Sequence, residues 1–231
     1  MNGLTRLLAL IAALSASASA QASVVGKLLH PIAPACPELV SAARCLPPCA
    51  RNHVHIIFLN GLDPLRIGNL AGLSDCIRDT GFENVYYGEL WDGHRAAREI
   101  RRIRCHDADA RIVLLGYSFG ANLVRCVANR LARDGIRVDT LIYLGGDTVF
   151  GSRCTPENVC HVINVRAWGF VLFAGGLISG QDMARADNIH LPWVRHLCMP
   201  RQQALHEILL NELIRLALLP PCPCAPGAVL P

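Results

Sequence analysis

The stretch "RIVLLGYSFGANLVRC", residues 111–126, reads as a buried strand, a sharp corner and a helix, with Ser118 at the corner between Gly116 and Gly120. A Gly-x-Ser-x-Gly match by itself is a weak signal. Context gives it weight: apolar "IVLL" leads in and an amphipathic helix leads out. That order predicts a serine exposed at the C-terminal edge of a sheet. The glycines have a steric purpose, since side chains two residues to either side of the serine would collide in so tight a turn. The corner also aims the helix N-terminus at the serine, where it favours developing negative charge. The plainer alternative is a turn serine in a doubly wound sheet.

Outward from this corner, strand-like and helix-like patterns alternate. "HVHIIFLNG" (53–61), "NVYYGELW", "ARIVLLG", "DTLIYLGG", "CHVINVRAWG" and a short "NIHLP" read as strands. Residues 65–81, the basic run 94–104, "FGANLVRCVANRLARDG" and "RQQALHEILLNELIRLALL" read as helices. Near-continuous apolar strands separated by helices predict an α/β fold: a mostly parallel central sheet with helices on both faces, a three-layer sandwich.

The ends have a different character. Met1–Arg6 is short and positive, Leu7–Leu14 is apolar, and "ASA" at 18–20 is a small-residue cleavage site. Residues 1–20 therefore read as a signal peptide, and its apolar part is well below the ~20 residues that span a bilayer. The expected mature protein is secreted or periplasmic, without stable membrane insertion. Eleven cysteines suit an oxidising compartment, with disulfides expected. Cys36, Cys45 and Cys49 lie in a Pro-rich segment (21–51) that reads as irregular, and Cys222 and Cys224 lie in a Pro-rich tail (219–231). Bridges between these ends or to the body, and a Cys154–Cys160 closure, are the candidate pairings. Cys76, Cys105 and Cys126 read as small buried hydrophobes on helices. The body is expected to run from 52 to 218.

The composition is that of a globular protein, 52% hydrophobic and 17% charged. The net charge of +4 is mild, and Lys27 is the only lysine. "HRAAREIRRIR" (94–104) sets Ala97, Ile100 and Ile103 at helical spacing, so its arginines read as a solvated face rather than a nucleic-acid patch. No dinucleotide fingerprint, P-loop or trusted zinc spacing occurs.

"LLGYSFGAN", with "FLNGLD" before it and "LPWVRHLCMP" after it, resembles the α/β-hydrolase superfamily in a form without a separate lid, over about residues 53–218. The resemblance implies a serine hydrolase acting on an ester, thioester or similar acyl bond through an acyl-enzyme, with no cofactor and no metal. It implies Ser118 as nucleophile and a histidine after the last strand as base. His196 falls where the family's base resides; His190, inside the short strand, and His206, inside the final helix, are the alternatives. The acid is Asp147, ending "TLIYLGGD", or Asp182 or Asp187 beyond the next strand. Backbone N–H groups of Gly61 or Leu62 and of Phe119 would form the oxyanion hole, while Asn60 and Asp63 receive no chemistry. The glycine-rich apolar run 168–180 suits a loop beside an acyl pocket, or a buried connection.

A small-molecule or lipid ester is the expected substrate; nucleic acid is not an expected partner. "GYSFGA" is also similar to some bacterial virulence-associated exported proteins of this superfamily. An accessory binding protein on the same fold therefore stands as the alternative to an esterase or lipase-like enzyme. A disulfide-stapled structural protein would explain the cysteines but not the corner.

Overall fold

The computed structural model describes residues 30–63, 66–146, 156–170, 173–179 and 183–220, and the side chains of all of these except 168–170 and 173–179. The expected signal peptide, Asp147, Asp182, Cys154, Cys222 and Cys224 lie outside the described residues.

Two short helices, α1 (Pro37–Cys45) and α2 (Pro48–Asn52), precede strand β1 (Val54–Leu59). Then follow α3 (Leu70–Asp79), β2 (Val85–Gly88), α4 (Gly93–His106), β3 (Arg111–Tyr117), α5 (Phe119–Arg133) and β4 (Val138–Leu144). The chain continues through β5 (Val159–Phe170), β6 (Phe173–Ser179) and β7 (Asp187–Arg195), a 3-10 turn (His196–Arg201) and α6 (Gln203–Leu218). The sheet order is β2-β1-β3-β4-β5-β6, with β7 also on β5. Every pairing is parallel except β5 with β6.

The strands are apolar on both faces because both faces are covered. On β3, Ile112 and Leu114 face α4 and α5, where Ile100, Ile103, Val124 and Leu131 pack. Val113, Leu115 and Tyr117 face α1, α3 and α6, meeting Leu73, Ile77, Leu209 and Leu213. This is the expected three-layer α/β sandwich. At about 25 cal/mol per Å2 of apolar surface, burial on both faces is its main stabilising term.

Several local expectations change. The helix expected from 65 starts only at Leu70, because Asn69 takes a left-handed turn (φ 54°) and its side chain caps the Gly72 amide at 3.0 Å. The segment read as irregular carries α1 and α2, whose prolines stand in the first turn, where no N–H is missed. The apolar run 168–180, read as a loop or buried connection, contains β6 as an antiparallel neighbour of β5. The last strand is nine residues long rather than five. Cys105 and Cys126 sit on helices but are exposed, and Cys76 is only partly buried; no disulfide joins the described cysteines. On α4, Ile100 and Ile103 are buried, while Arg101 pairs with Asp134 and Arg102 with Glu99.

Candidate active site

Parallel strands deliver their C-terminal ends to one edge, and the corner after β3 lies there. Ser118 is held at φ 56°, ψ −123°, between β3 and the first turn of α5. The glycine spacing has a direct steric reading. A Cβ on Gly116 would lie 2.3 Å from the Gly120 carbonyl oxygen, and one on Gly120 would lie 2.1 Å from the Leu59 carbonyl oxygen. Either backbone would have to move. The loop after β1 closes on the same corner: a Cβ on Gly61 would meet the Phe119 nitrogen at 2.7 Å and the Ser118 Cβ at 3.0 Å. Gly61 thus approaches Ser118 and Phe119 closely, with Leu62 next in that loop. Ser118 is only 4% exposed, so it is covered rather than open at the edge.

His196 opens the 3-10 turn directly after β7 and is 3% exposed. Its ring lies over the end of β4: a Cβ on Gly145 would sit 2.5 Å from Nδ1 and 2.6 Å from Cε1. Glycine is needed at 145 twice over, since its φ is also +56°. The Ser118 amide donates to the Leu144 carbonyl at 2.8 Å. Ser118 and His196 therefore converge on adjacent residues of one strand end. Tyr117 ties them further: its ring stacks on the imidazole at 5.1 Å and 20°, and its hydroxyl donates to the His196 carbonyl at 3.1 Å.

The other histidines are elsewhere. His190 lies within β7 in register with Arg166, three strands from β3, about 14 Å at usual strand spacing. His206 is buried on α6 and accepts the Ala35 amide at 3.2 Å, which pins the N-terminal segment; burial holds it below its ordinary pKa. Among the acids, Asp147 and Asp182 lie outside the described residues. Asp187 is not brought to His196. It pairs with His161 Nε2 at 2.8 Å, and it sits in register with Ile163 while Arg195 aligns with Trp168. The five steps from Ile163 to Trp168 along β5 span about 16 Å.

The structure also organises Asp63 and Asn60, to which no chemistry is assigned above. Asp63 Oδ1 and Oδ2 accept the amides of Ile67 and Gly68, both at 2.8 Å, folding the loop back on itself; burial raises its pKa. Asn60 donates to Glu89 Oε2 at 3.2 Å, and Glu89 Oε1 accepts the Tyr87 hydroxyl at 2.9 Å. Together these hold the loop carrying Leu62. Tyr117 has no spacing signal linking it to His196. No group of three or more His, Cys, Asp or Glu placed to hold a metal ion occurs among the described residues.

The chain matches no protein-family model and no curated protein sequence. Among solved structures it is similar to a predicted CIB-like hydrolase from Thermoplasma acidophilum: 12% identity, 70% of this chain and 86% of that one, TM-score 0.46. A likeness this distant carries no activity across. No helix among the described residues is long and apolar enough to cross a membrane.

Proposed function

We propose that this protein is a serine hydrolase that cleaves a carboxylic ester, or a related acyl bond such as a thioester, through an acyl-enzyme. The observation that carries this reading is the strained Ser118 corner beside the buried imidazole of His196, both at the end of β4. Ser118 Oγ attacks the carbonyl carbon as His196 takes its proton. The N–H groups of Leu62 and Phe119 receive the oxyanion, helped by the N-terminus of α5. His196 returns the proton to the leaving alcohol, and water releases the acyl group by the same route.

We assign Asp147 as the acid. It follows Gly145 by two residues, a reach of at most about 7 Å, and Gly145 lies against Nδ1 of His196. That is the nitrogen a triad carboxylate must hold. Asp182 is the remaining alternative. We also propose export after cleavage near residue 20, with the terminal cysteines oxidised, to act on a small-molecule or lipid ester.

Fluorophosphonate labelling of the full oxidised protein, beside Ser118→Ala, tests the reading. Labelling lost in the variant supports it; a folded wild type that stays unlabelled overturns it in favour of a binding role.

A further inference from the structure

We propose that Tyr117, the residue before the nucleophile, is a positioning residue that fixes the imidazole of His196. The inference rests on the hydrolase reading above, which uses Tyr117 for nothing.

Three contacts converge on this 1%-exposed side chain. One ring face stacks on His196 with centroids 5.1 Å apart, within the usual range for stacked rings. The hydroxyl donates to the His196 main-chain carbonyl at 3.1 Å. The ring also meets Gly68, where a Cβ would lie 2.8 Å from Cε1 and 3.1 Å from Cζ. Gly68 is in turn held by the Asp63 carboxylate through its amide. Burial keeps the phenol well above its ordinary pKa, so it stays a donor.

The arrangement has a mechanical consequence. The backbone of Tyr117 ends β3 and delivers Ser118, while its side chain holds the ring that must take the serine's proton. One residue thereby couples two groups that lie 78 positions apart in the chain. Displacing a reacting group by ~1 Å costs about a hundredfold in rate, so losing the tether should slow the chemical step and leave binding alone.

The test measures fluorophosphonate inactivation against inhibitor concentration, separating kinact from KI, for wild type, Tyr117→Phe and Tyr117→Leu. Thermal melts run alongside. Tyr117→Phe keeps the ring and removes one hydrogen bond; kinact should fall about five- to tenfold at unchanged KI. Tyr117→Leu also removes the stacking, and the loss should approach about a hundredfold. Unchanged kinact in folded variants, or a loss confined to KI, overturns the proposal. A wild type that never labels sinks the hydrolase reading instead. The tether is then read by NMR from the His196 Cε1–H resonance, which a stacked ring shifts upfield; no shift change in Tyr117→Leu overturns it.

Discussion

Ser118 keeps a non-glycine side chain at φ 56°, a conformation costing about 1–3 kcal/mol. The surrounding backbone enforces it: β3 pairs up to Tyr117, α5 starts at Phe119, and no residue between them shares the turn. Ser118→Gly should relieve the strain. Glycine's greater unfolded-state entropy offsets part of the gain, leaving the variant about 1 kcal/mol more stable in urea denaturation and without fluorophosphonate labelling. Gly120→Ala should act oppositely, because its methyl meets the Leu59 carbonyl oxygen at 2.1 Å. A loss of about 1–3 kcal/mol, or failure to fold, is expected in the same measurement. The corner was legible in the sequence because its glycine–serine–glycine pattern spans five residues between one strand and one helix, although Leu59 also holds Gly120 in place. The Tyr117–His196 stacking was not, since nothing local marks which distant ring will meet Tyr117.

At the scale of elements, α6 is fastened to the sheet by a buried carboxylate. Glu212 accepts from the Thr140 hydroxyl on β4, His161 Nδ1 on β5 at 3.0 Å, and Arg215 at 2.7 Å. His161 Nε2 in turn meets Asp187 on β7. Burial alone would push Glu212 up, but the bonds from Arg215, Thr140 and His161 outweigh it and hold it below the ordinary 4.5. Burial would likewise pull His161 down, but its two carboxylate partners hold it above 6.5. Glu212 therefore stabilises fully above pH 4.5, and this is lost as pH falls through its lowered value. The His161 contribution is complete below 6.5 and is lost as pH rises through its raised value. The difference in unfolding free energy between wild type and Glu212→Gln, from urea denaturation at each pH, should peak between these limits at about 1–3 kcal/mol. A difference flat across pH would refute the coupling. Taking the difference cancels His206, whose lowered pKa acts in the opposite sense. Charged residues inside an apolar helix pattern show on the sequence; which strands they fasten does not.

At the scale of the molecule, the N-terminal segment belongs to the core. Ala35, Ala43 and Leu46 are buried against the α6 layer, and the Ala33, Ala35 and Cys36 amides donate to Arg201, His206 and Glu207. A chain begun at Asn52 would leave that face of α6 bare. Lost aliphatic burial of about 3 kcal/mol corresponds to a melting temperature roughly 6–12 °C lower. An unchanged melt would show the segment to be an appendage. Its proline content made it read as irregular, yet proline is at home in the first turn of a helix, where α1 and α2 place theirs.

The sequence by itself determined the α/β alternation, the two-faced burial of the strands and the serine corner. Each follows from spacing along one strand or one turn, where the physics is short-ranged. Only the tertiary structure decided that β7 pairs with β5 and that the turn after it reaches back to Gly145 at the end of β4, so that His196 rather than His190 or His206 lies there. It also decided that Asp187 serves His161, and that the apolar run after β5 returns as β6. These depend on which strands pair and in what register, and pairing is settled by burial and hydrogen bonding between segments far apart in the chain.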